Sequence, residues 1–263
     1  MRWTHYLAIG TLSLTLAACT TSPTGRSQLT LVSDAQLNQM GAQAFEQYQQ
    51  DLPAANAAAQ RYAQCVADAL VAELPDNQRD QNWQIRVFES EQANAFALPG
   101  GYMGVNTGLL EVAENQDQLA AVVAHEIAHV LARHANERVS TETATKMGLS
   151  VLSSASGLQG AGGQQLMGAL GLGAQYGILL PFSRSHESEA DVIGLQLMAD
   201  AGFDPRASLA LWENMSAAGG GQPPAWMSTH PSHGQRIGGL QAQMDSALAR
   251  YQQAGQRPSC ARP

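Results

Sequence analysis

The stretch Leu119-Ala-Ala-Val-Val-Ala-His125-Glu126-Ile127-Ala128-His129-Val130-Leu131 decides the fold. Its apolar residues, Leu119, Val122, Val123, Ile127, Val130 and Leu131, recur at helical spacing and cover most of a helix surface. A helix of this kind is buried, and histidine and glutamate are costly there without partners. At 3.6 residues per turn His125 and His129 stand one above the other, so two imidazoles can grip one divalent metal. Glu126 is turned by about 100° from them. It can reach a metal-activated water but is poorly placed as a ligand, which is the geometry of a general base.

A catalytic zinc needs a third protein ligand and an open position. The H-E-x-x-H pattern of metzincins places that ligand six residues after the second His. Ala135 stands there, so that class is excluded. His134 would point some 140° away if the helix continued through it, and reads as a packing or hydrogen-bonding residue. The segment Ser183-Arg184-Ser185-His186-Glu187-Ser188-Glu189-Ala190-Asp191 opens another helix, with Ser183 or Ser185 as its cap. Glu187 and Asp191 share one face of it. One can ligate zinc while the other accepts the N–H of a ligating His and fixes its tautomer. The alternative is a solvated acidic helix start, which the helix dipole also favours.

Outward from this pair, the chain reads as mainly helical with a small sheet. Ser33-x-x-Gln36 is a capping box before a helix to about residue 50, and Pro53 restarts a second, Ala-rich helix. Trp83, Ile85 and Val87 alternate as a strand, and Asn94 to Val105, folded about Pro99-Gly100-Gly101, reads as a hairpin. Asn115 or Asp117 caps the long helix, expected to run through Arg138. The Gly/Ala/Met-rich residues 146–180 read as a lid, a membrane contact or core. Asp204-Pro205 starts a further helix, and a last one runs from about Gln235 to Tyr251. Trp212 and Trp226 read as packing residues.

The 263 residues carry 14 Lys and Arg against 22 Asp and Glu, a net charge of -8. That balance excludes a nucleic-acid partner, which needs a basic footprint. The first 18 residues carry Arg2 before an uncharged apolar run too short to cross a membrane, the dimensions of a signal peptide. The run ends Leu16-Ala17-Ala18-Cys19, which resembles a bacterial lipobox with Cys19 lipidated. Cys65 and Cys260 would then stand in an oxidising compartment, as a disulfide or as two free thiols. The expected organisation is signal peptide (1–18), tether (19–32), one metallopeptidase domain (33–255) and a tail (256–263).

Three blocks, Asn94-Ala95-Phe96-Ala97-Leu98-Pro99-Gly100-Gly101, His125 to His129 with Arg133-His134, and Ser183 to Asp191, occur in one order with a fourth, Thr229-His230-Pro231 followed by Arg236-Ile237. Together they resemble the HtpX and CaaX-prenyl-peptidase family of zinc metallopeptidases, and within it the small periplasmic lipoproteins of LoiP (YggG) type. The resemblance implies a gluzincin-type α+β domain with one zinc per chain, held by His125, His129 and Glu187. It implies Glu126 as base and Asp191 behind the ligands. His230 and Arg236 would approach the metal and the substrate oxyanion, or His230 would be a fourth ligand. Asn94, Ala95, Phe96 and Ala97 would bind substrate as an edge strand. The implied function is an endopeptidase on the periplasmic face of the outer membrane, acting on unfolded or misfolded proteins. Its partners would be the membrane, through the lipid, and other envelope proteins. The alternative is a non-proteolytic assembly factor or holdase with a latched or structural zinc.

Overall fold

The computed structural model describes residues 19–155, 182–218, 225–230 and 235–263. The expected signal peptide, Pro231 and most of the stretch 146–180 lie outside the described residues. Two compact units divide the chain, one of residues up to Leu37 with Arg133–Leu180, the other of Asn38–Ala132 with Pro181–Pro263.

In the first unit, β1 (Cys19–Thr21) and β2 (Ser27–Leu29) pair antiparallel around a turn at Gly25, whose φ of 91° suits glycine. Residues 19–32, expected to be a tether, are therefore a docked hairpin. Their partner is helix α6 (His134–Ala155). Arg26 donates to both carboxylate oxygens of Glu137 at 2.6 Å, and the Gln28 amide adds a bond at 3.0 Å. Asn136 donates to the Val32 carbonyl, and Ser140 accepts from the Leu31 amide. A partner so distant in sequence leaves no mark on local composition. Helix α1 (Asp34–Asp51) begins here, with the expected Ser33/Gln36 capping box and with Arg133 paired to Asp34.

The second unit holds a sheet of β3 (Gln84–Phe88), β4 (Ala95–Leu98) and β5 (Tyr102–Asn106), in the order β3-β5-β4. The β4–β5 pair is the expected hairpin, and Gly100 and Gly101 supply the positive φ that its turn requires. Strand β3 runs parallel to β5. One face of the sheet buries Ile85, Val87, Ala95, Met103 and Val105 in the core. On the other face Phe88, Phe96 and Tyr102 meet Phe45 and Tyr48 of α1, with Phe96 stacked on Tyr48 at 4.2 Å. Gly104 beside Phe96 leaves room for that ring, since a Cβ there would lie 2.2 Å from it.

Helix α2 (Ala57–Ala72) starts later than Pro53 because Asn56 is the cap, accepting from the amides of Ala58 and Ala59. Residues 53–55 instead bond to β3 and the residue after it, through Ala55 N–H to Val87 O and Glu89 N–H to Pro53 O. The short helices α3 (Asp76–Arg79) and α4 (Thr107–Val112) precede α5 (Gln116–Leu131), which Asn115 caps through the Gln118 amide. In α5, Leu119, Val122, Val123 and Ile127 are fully buried, each side chain contributing about 1.5–3 kcal/mol. Arg133, with φ of 55°, breaks the long helix expected through Arg138 into α5 and α6.

The remaining helices are α7 (Arg184–Asp200), α8 (Ala207–Ala218), α9 (Ala225–Thr229) and α10 (Gln235–Gln253). As expected, Ser183 caps α7 and Gly202, with φ of 82°, lies just past its end. Helix α7 crosses α5 at Gly194, where a Cβ would lie 2.9 Å from the His125 amide nitrogen. Only glycine permits that approach. The C-terminal residues are strapped to the start of α5. Gln116 bonds the backbone at Pro258 and Cys260, Arg262 bonds the Leu110 and Glu114 carbonyls, and Cys65 of α2 forms a disulfide with Cys260.

Candidate metal centre

Helix α5 presents His125 and His129, and the close crossing at Gly194 brings Glu187 of α7 beneath them. His230, at the end of α9, completes the group. One ligand atom from each of His125, His129, Glu187 and His230 lies within 4.8 Å of the others, and all four residues are buried. The two Nε2 atoms of His125 and His129 face each other at 3.1 Å, and His230 Nδ1 lies 3.2 Å from Glu187 Oε1.

The donor chemistry fits zinc, three imidazoles and a carboxylate being its usual ligand types. Glu187 Oε2 is buried and faces the Arg236 guanidinium, whose Nη1 sits 2.7 Å away as an ion-pair contact. Burial opposes ionisation of Glu187, but His125 and His230 hold its carboxyl far below the usual range. Asp191 is likewise buried yet held low by His125 and Arg236.

Asp191 Oδ1 lies 3.1 Å from His125 Nδ1, which leaves Nε2 turned toward the group. Burial works against a charged His125, but its bonds to Asp191 and Glu187 outweigh this and push the imidazole up to about 9. Arg236 of α10 is differently engaged from the expected oxyanion donor. Its Nε and Nη2 grip both oxygens of Asp191, at 2.7 and 2.5 Å, and its plane covers the Trp212 ring at 4.4 Å. It is a buried clamp on Glu187 and Asp191 of α7.

Glu126 lies beside the group. Its Oε2 accepts from the Ala97 amide of β4 at 3.2 Å, and its Oε1 accepts from the Trp226 indole N–H at 2.8 Å. His230 Nε2 is 3.3 Å from the same Oε1. Of the expected edge-strand residues, Ala97 thus faces the base directly. Asn94 Oδ1 is buried without a hydrogen-bond partner among the described residues, while the Phe96 ring points to α1, away from the site. Aromatic rings enclose the imidazoles. Phe182 stacks on His129 at 3.8 Å and Trp226 on His230 at 4.9 Å. Phe182 and Trp226 were not expected at the site. Trp226 had one usable signal, its position one helical turn before His230. His134 is buried but is not among the grouped ligands.

The sequence model of peptidase family M48 matches residues 53–244, which contain every residue of this centre. The chain belongs to peptidase family M48. The metal of M48 peptidases is zinc. The mitochondrial metalloendopeptidase OMA1 of Schizosaccharomyces pombe is 42% identical over 160 residues, 60% of this chain and 45% of the relative. Human OMA1 is 37% identical over 177 residues, 64% of this chain and 33% of the relative. The β-barrel assembly-enhancing protease of Escherichia coli is 33% identical over 154 residues, 55% of this chain and 31% of the relative. The chain thus spans a third to a half of the length of these curated relatives.

Proposed function

We propose that this M48 chain is a zinc-dependent endopeptidase of the bacterial cell envelope, cutting unfolded or misfolded proteins. The observation that carries the reading is one cluster containing both a ligand set and a base: His125, His129 and Glu187 converge while Glu126 stands beside them on the same helix. When bound, zinc would supply the Lewis acidity that polarises the scissile carbonyl and lowers the pKa of the attacking water. Glu126 takes the water proton and returns it to the leaving amine. Asp191 holds the His125 tautomer, and Arg236 holds Asp191 and Glu187. His230 is placed to donate to the developing oxyanion from its position beside Glu126. The β4 edge at Ala95 supplies backbone for an extended substrate.

The lipobox-like Leu16 to Cys19 supports a lipoprotein of LoiP type, anchored on the periplasmic face of the outer membrane. The relative named as a β-barrel assembly-enhancing protease supports envelope proteins as clients or partners. A second reading is a non-proteolytic assembly factor with a latched zinc, and one observation favours it: His230 lies within the ligand group, and as a fourth protein donor it would fill the position that a catalytic zinc keeps open. Cleavage of a labelled, unfolded casein by the zinc-loaded chain separates the two. We expect wild type to cut it and Glu126→Gln to be inactive with zinc retained. Equal cleavage by both would sink the peptidase reading.

A further inference from the structure

We infer that Trp226 is a positioning residue for the general base: its indole N–H fixes the Glu126 carboxylate in the orientation that proton transfer requires. The inference rests on the peptidase reading above.

Three observations carry it. First, the N–H to Glu126 Oε1 bond is short, at 2.8 Å, and both residues are buried, so the donor faces no competition from bulk water. Second, the indole has no freedom to leave this position at low cost. It stacks on His230 at 4.9 Å and 22°, meets Trp212 at 5.3 Å, and lies near the Arg236 guanidinium at 5.6 Å. Its own backbone amide donates to Ala93 O, just before β4. Third, the base is held from both sides. The Ala97 amide takes Oε2 while Trp226 takes Oε1, where His230 Nε2 also lies at 3.3 Å, so the carboxylate is held by a donor on the sheet and by the indole of α9. A carboxylate free to rotate would spend most of its time misaligned, and catalytic groups must be held to within a fraction of an ångström. A buried indole contributes here as a donor only, because it has no acceptor atom and cannot compete for the proton that Glu126 takes.

The test is Trp226→Phe in the zinc-loaded chain, which keeps an aromatic ring against His230 and removes the N–H. With a fluorogenic peptide substrate, kcat should fall about 10- to 100-fold, the loss of one hydrogen bond to a charged acceptor. KM and zinc content should stay within about twofold. A purely structural role would lower folding stability or metal content without this split. A second readout needs no activity. The Trp226 indole resonance in a proton–nitrogen spectrum, assigned by its absence from Trp226→Phe, should exchange slowly with solvent and should lose that protection in Glu126→Ala. Wild-type kcat or a raised kcat in Trp226→Phe would overturn the inference. So would an indole proton that exchanges equally fast with and without Glu126. If wild type itself cuts nothing, the peptidase reading fails while the indole measurement still reports whether the bond exists.

Discussion

Asp191 Oδ1 accepts from His125 Nδ1 at 3.1 Å, and Arg236 grips both oxygens of the same carboxylate. The ligand imidazole is therefore oriented by a carboxylate that is itself oriented. Asp191→Asn keeps the shape but weakens the acceptor. Its zinc affinity, measured by competition with a chelator, should drop about 10- to 100-fold. Unchanged affinity would show that His125 needs no such partner.

Arg236→Ala should act through stability rather than through the chemical step. It leaves the buried carboxylates of Glu187 and Asp191 without their cation, and removing one member of a buried pair costs about 3–5 kcal/mol. Urea unfolding of the metal-free protein reads this directly. An oxyanion donor would behave oppositely, with stability kept and kcat lost.

Gly194→Ala places a methyl group 2.9 Å from the His125 amide nitrogen, against backbone that cannot step aside. The α5–α7 crossing must open, at a cost of about 1–3 kcal/mol. Because Glu187 and Asp191 ride on α7, zinc affinity should fall together with the melting temperature. A lower melting temperature with undiminished affinity would mean that the centre tolerates the shift.

Tyr62 is 1% exposed, and its hydroxyl has no hydrogen-bond partner among the described residues. Burial pushes its pKa up to about 12, despite the opposing charge of Arg262. The unfolded chain loses this proton near pH 10 and the folded chain only near 12. The contribution is therefore whole below about 10 and vanishes as pH rises through 12, a loss of about 2–3 kcal/mol. Tyr62→Phe should flatten that alkaline decline in a urea series and be neutral or slightly stabilising at pH 7. Parallel pH curves for the two proteins would refute the assignment.

The pairs His125/His129 and Glu187/Asp191 were legible because helical periodicity converts sequence spacing into a shared face, whereas Glu187 joined the histidines through the family resemblance, because it sits on a different helix. The capping boxes at Ser33 and the cap at Ser183 were legible for the same local reason. What escaped depends on contacts between distant elements. The clamp of Arg236 exists only once α10 folds back against α7. The docking of residues 19–32 needs Glu137, more than a hundred positions away. The break at Arg133 has no Gly or Pro to announce it. Trp226 looked like packing because it is packing, and its single polar atom meets Glu126 only through the placement of α9.

The bond between Cys65 and Cys260 spans 195 positions, so it encloses the sheet, the metal-binding helices and all the intervening loops in one covalent ring. A single cut anywhere within that ring opens it without releasing a piece. A nick within that ring, from the chain itself or another protease, would release no fragment on a non-reducing gel, and the parts would separate only after reduction.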